Sequence, residues 1–145
     1  MWLNGYETLV RPALLSGTYR TQNTTPDDLE ARITRLFSDT DGAELRWGGC
    51  AAGFRLTGHY RGESTVVHVH EVPRELPRQL RALKDPNGNL ILMDAFGSIN
   101  WRTRKDTVHP LLAYSEMLHE GDERAREAAQ ELYDQHLAPY WVNEP

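Results

Sequence analysis

Residues 52–72 read AGFRLTGHYRGESTVVHVHEV, and the folding of this stretch decides the class of the protein. In its first half Ala52, Phe54, Leu56 and Tyr60 keep a period of two, with Arg55, Thr57, His59 and Arg61 on the opposite side. Such alternation is the pattern of a pleated strand. Arg61-Gly62-Glu63-Ser64 reads as a hairpin turn, and Thr65 to Val72, rich in β-branched residues, reads as the returning strand. The stretch is therefore expected to be a β-meander, with Val67 and Val69 toward a core and His68 and His70 on an exposed face.

Upstream, Thr25 is a natural N-cap, Pro26 suits the first helical position, and Asp27 and Asp28 complement the helix dipole. Leu29, Ile33, Leu36 and Phe37 follow at helical spacing, so a helix is expected up to about Asp39. Leu9-Val10, Thr18-Tyr19-Arg20, and Leu45 with Trp47 offer short strands. Downstream, Leu76, Leu80 and Leu83 predict a short helix over 75–84, and Asp85-Pro86-Asn87-Gly88 a turn. Leu90-Ile91-Leu92-Met93 and Ile99-Asn100-Trp101-Arg102 read as further strands. His109-Pro110 opens a helix, Gly121-Asp122 breaks it and caps the next, and Pro139 ends that one. The expected architecture is a single α+β domain over residues 1–145. It has a small, mostly antiparallel sheet of about four to six strands, an N-terminal helix, a short middle helix and two C-terminal helices.

Composition narrows the functional classes. With 145 residues, 39% of them hydrophobic and 26% charged, the chain has the make-up of a folded soluble domain. One cysteine, Cys50, excludes an internal disulfide and any multi-cysteine zinc site, which favours the cytoplasm. The amino terminus lacks the basic and apolar regions of a signal peptide, and no apolar run is long enough to span a bilayer, so no membrane is expected. The net charge of −5 is unevenly spread. Residues 73–108 hold seven basic against four acidic residues, and residues 109–145 hold two against eight.

Three groups of residues could carry chemistry. His68 and His70, two apart in a strand, point to one face and could ligate a divalent metal, with His59 or Asp94 as a further ligand. Gly62, His68, His70 and Glu75 resemble, in identity and spacing, the first metal-binding motif of the cupins, a resemblance that implies a barrel with a metal on the histidines. Ala82 stands where the motif's closing glycine belongs, and no second motif follows. The plainer reading of the pair is polar positions behind a Val67/Val69 core face.

Cys50, flanked by glycines, could form a nucleophile with His68 or His70 and Asp94, or be a small buried hydrophobe. Arg74, Arg78 and Arg81 form a stripe opposite the leucines of the middle helix, followed by Trp101 and Arg102, a combination suited to phosphate and stacked bases. Phosphate-cradling glycine loops, HExxH, GxSxG and paired-carboxylate signatures are absent from the sequence. The reading favoured is a non-enzymatic binding module of adaptor, inhibitor or regulatory type, with no cofactor. It would act on a protein partner through His59, Arg61, His68 and His70 together with Arg74, Arg78, Arg81, Trp101 and Arg102. The alternatives are a metal-dependent or small-ligand enzyme centred on His68 and His70, and an RNA- or DNA-binding protein using the arginine stripe.

Overall fold

The structure, a computed structural model, describes Gly5 and residues 11–22, 25–38, 45–58, 60–69, 75–94 and 106–138. In chain order its elements are α1 (Arg11–Leu14), β1 (Leu15–Arg20), α2 (Pro26–Ser38), β2 (Leu45–Gly48), α3 (Gly49–Thr57) and β3 (Thr65–Val69). They continue with α4 (Leu76–Gln79), β4 (Leu83–Lys84), β5 (Leu90–Asp94), α5 (Pro110–Glu120) and α6 (Glu123–Leu132), which runs into a π-helical turn (Tyr133–Leu137). Among the described residues five strands form one mixed sheet in the order β2-β3-β5-β1-β4. Only the central β3–β5 pair is parallel, with Val67 opposite Leu92; the β2–β3, β5–β1 and β1–β4 pairs are antiparallel. The α+β class and the mostly antiparallel sheet are as expected. The strands expected at Leu9-Val10 and Ile99 to Arg102, and the stop at Pro139, lie outside the described residues.

The helix starts follow the sequence closely. Thr25 Oγ1 accepts from the Asp28 N–H at 3.2 Å, and Asp122 Oδ1 accepts from the Ala125 N–H at 2.7 Å, filling donors that a helix cannot satisfy internally.

The meander needs correcting. Residues 49–57 are helix α3, so the first of its two strands is missing, and β3 alone remains. Gly49, Cys50, Ala51, Ala52 and Gly53 are small and buried, which lets the α3 backbone approach its neighbours closely: a Cβ on Gly53 would stand 2.7 Å from Met117 Cε. Gly58, at φ 73°, closes the helix with its N–H on the Phe54 carbonyl at 2.7 Å. Four alternating residues, Phe54 to Thr57, do not outweigh a small-residue packing face and a glycine stop. The middle helix is also shorter than expected. It ends at Gln79, and Leu83 leaves the leucine stripe to stand 65% exposed in the edge strand β4, opposite Arg20.

The sheet is covered on both faces. On one, Leu29, Ile33 and Phe37 of α2 join Leu76 and Leu80 over Trp47, Val67, Val69, Leu90 and Leu92. Each such side chain removed from water stabilises the fold by about 1.5–3 kcal/mol. On the other face lie Leu14, Val66 and Met93, next to a helical cluster that includes Cys50, Ala52, Met117, Ala125, Ala128, Ala129 and Leu132. All five β3 residues are buried, as befits a strand with a parallel neighbour and helices on either side. Burial on both faces explains the misreading of His68: period-two alternation in β3 separates two buried faces, not a core face from a solvent face. A single mixed sheet also replaces the barrel implied by the cupin resemblance.

Candidate functional site

Two polar constellations result, one inside the fold and one outside. Inside, His68 is fully buried, and its Nε2 donates to Glu116 Oε2 at 2.8 Å. The other carboxylate oxygen, Oε1, accepts from the Gly49 N–H at 3.1 Å. Glu116 thereby ties α5 to β3 and to the first turn of α3. A Cβ at position 48 would lie 2.6 Å from Glu116 Oε1 and 3.0 Å from the His68 ring, so a larger residue there would displace the Glu116 carboxylate. One turn along α5, Glu120 Oε2 accepts from Cys50 Sγ at 2.7 Å. Burial raises the Glu120 carboxyl above its ordinary range, while hydrogen bonds from Cys50 and Ser64 pull the other way. Burial first, and the Glu120 charge second, push the Cys50 thiol far up. The sulfur stays protonated and unreactive, the reverse of a nucleophile's tuning. Cys50 thus partners Glu120 while His68 partners Glu116, so the pairing of Cys50 with His68 envisaged from the sequence is not formed. His68 also does not stand on the exposed face expected for it.

Arg61 likewise points inward. It pairs with Glu30 of α2, donates to the Ser64 carbonyl at 3.0 Å and to Thr65 Oγ1 at 2.8 Å. Glu30 also receives Arg55, whose guanidinium lies 4.6 Å from the centre of the Trp47 ring. Among the described residues no group of three or more His, Cys, Asp or Glu side chains is placed to hold a metal. His59, His70, Arg74, Trp101 and Arg102 lie outside the described residues.

Outside, α2 and the 79–81 segment flank an open groove of about 430 Å³, lined by Arg32, Arg35, Leu36, Gln79, Leu80 and Arg81. Its position follows from packing. Leu29, Ile33 and Phe37 of α2 share one apolar cluster with Leu76 and Leu80, which fixes the two segments side by side. Arg32 and Arg35, both exposed and flanking the buried stripe of α2, then stand beside the exposed Arg81. Arg78 is exposed on α4 nearby in sequence. Among the described residues no carboxylate lines the groove or forms an ion pair with these arginines. Of the expected arginine stripe, the structure puts Arg81 into a site. It adds Arg32 and Arg35, which sequence reading missed; their signal was two arginines three apart beside the buried stripe of α2.

These features define a small α+β domain with an interior polar clasp and a basic external groove. The chain belongs to the family described as transcriptional regulator, AbiEi antitoxin, of type IV toxin–antitoxin systems, whose model matches residues 1–138. No curated protein and no solved structure matches it. Membership gives the chain a regulatory role, in agreement with the regulatory type of module expected from the sequence. Among the described residues no helix is long and apolar enough to cross a membrane.

Proposed function

We propose that this chain is a regulator that works by binding rather than by catalysis, and that it holds nucleic acid, specifically duplex DNA, in the groove between α2 and residues 79–81. The observation that carries this reading is the set Arg32, Arg35 and Arg81 in one open groove with no carboxylate among its described lining residues. Guanidinium groups match phosphate geometry, and their charge supplies most of the affinity for a DNA backbone. The family's description as a transcriptional regulator supports the same partner. The site of action is the cytoplasm, where a lone buried thiol such as Cys50 stays reduced.

The test is fluorescence anisotropy with a labelled DNA duplex over a range of salt. Wild-type affinity should fall steeply with salt, and Arg32→Ala/Arg35→Ala should flatten the log–log slope by about 1.8, roughly 0.9 for each lost phosphate contact. An unchanged slope in that variant refutes the groove as the interface.

A second reading, a protein partner, is favoured by a different surface. Glu123, Glu127, Glu131 and Asp134 are exposed along α6 and the turn after it, while Ala125, Ala128, Ala129 and Leu132 are buried beneath them. A basic protein surface fits that face. Capture of a host protein that is lost on Glu127→Lys/Glu131→Lys but kept on Arg32→Ala/Arg35→Ala supports this second reading. Capture indifferent to both pairs of substitutions counts against it.

A further inference from the structure

We infer that Arg81 is the anchor of the groove, a residue held in a backbone conformation unfavourable to it so that its guanidinium can take a phosphodiester oxygen of DNA. The inference rests on the groove being a DNA interface and names the residue on which binding turns. Among the described residues Arg81 alone, apart from glycines, has a positive φ, at 52°. It follows the Leu80 cap of α4, the position at which a helix usually ends on glycine because a Cβ crowds the left-handed conformation.

The chain observes that rule elsewhere. Helices α3 and α5 end on Gly58 and Gly121, at φ 73° and 81°. At the third such place it keeps an arginine, and that arginine lines the groove. The left-handed turn is closed by the Ala82 N–H on the Pro77 carbonyl at 2.7 Å, so the conformation belongs to the fold and not to the side chain. A local preference overridden in this way marks a position where the side chain is wanted for its own chemistry. Arg35 and Arg32 stand across the groove on α2, one helical turn apart, and complete a three-guanidinium cradle. A residue that reads phosphate contributes to every DNA sequence alike.

Arg81→Gly separates the two roles, because it relieves the backbone while removing the charge. The 145-residue chain and its Arg81→Gly, Arg81→Lys and Arg32→Ala/Arg35→Ala variants are melted and titrated with two duplexes of unrelated sequence. Arg81→Gly should melt no lower than wild type yet bind both duplexes about tenfold more weakly, with a salt slope shallower by about 0.9. Arg81→Lys, keeping the charge, should retain most of the affinity. A lower melting temperature for Arg81→Gly overturns the strain argument. Weakening on one duplex only overturns phosphate reading. Wild-type binding by Arg81→Gly, with Arg32→Ala/Arg35→Ala impaired, overturns the inference and leaves the groove reading standing. If no groove variant alters binding, or the wild type binds neither duplex, both fail.

Discussion

Replacing Glu116 by methionine keeps the volume of the side chain but removes the acceptor that holds α5 to β3 and α3. Two donors are then stranded in the interior, the His68 Nε2 and the Gly49 N–H, which meet Glu116 at 2.8 and 3.1 Å. A buried donor left unsatisfied costs roughly 1–3 kcal/mol, giving about 4 kcal/mol for the two, and the apolar methionine side chain offsets about 1 of that. The expected net loss is about 3 kcal/mol, a large part of the roughly 5–15 kcal/mol by which domains of this size are stable. It corresponds to a fall of about 10 °C in Tm. Adding His68→Leu removes one of the stranded donors, so the double variant should recover to within about 2 kcal/mol of wild type. Denaturant unfolding at constant m-value measures all three proteins. A loss below about 1 kcal/mol for Glu116→Met, or a double variant no better than the single, would refute the clasp as the element that seats α5.

Other outcomes follow from neighbouring contacts. Because burial raises the Glu120 carboxyl above its unfolded value near 4.5, its contribution to stability is complete below that pH and is lost as pH rises through the folded value. Melts of wild type against Glu120→Gln should therefore diverge as pH climbs from about 4.5, and parallel curves would contradict the assignment. Asp122→Ala removes the side-chain cap of α6 and should cost about 1 kcal/mol in denaturant unfolding; an unchanged midpoint would mean that the helix start is held otherwise. Leu83→Lys should change stability by no more than about 0.5 kcal/mol, since that side chain stands in solvent on an edge strand, whereas Leu80→Lys should prevent folding. Equal effects at the two positions would restore the longer leucine-striped helix.

Much of the architecture was legible where local chemistry is self-contained. Thr25, Pro26 and the spacing of Leu29, Ile33 and Phe37 fix α2, and Asp122 fixes the start of α6, because caps and apolar stripes depend on residues a turn away. The run Thr65 to Val69 was legible as a strand but not as a central one. Its neighbours β2 and β5 come from about twenty residues before and after it, and nothing local says that both its faces are covered. That gap placed His68 on the surface. Residues 49–57 deceived for a related reason: Phe54-Arg55-Leu56-Thr57 alternates, but the small residues before it gain their meaning only against Met117 and Glu116, more than sixty positions away. The groove was half visible. Arg78 and Arg81 lay in a recognisable stripe, while Arg32 and Arg35 join Arg81 only because Ile33 and Leu80 share one core cluster.

The groove is tested most directly by following the arginine side chains themselves. In an NMR titration of the full chain with a DNA duplex, the Nε–Hε resonances of Arg32, Arg35 and Arg81 should shift together and saturate at one stoichiometry, while those of Arg124 and Arg126 on α6 stay in place. Movement at Arg124 and Arg126 with the groove trio unmoved would contradict the account.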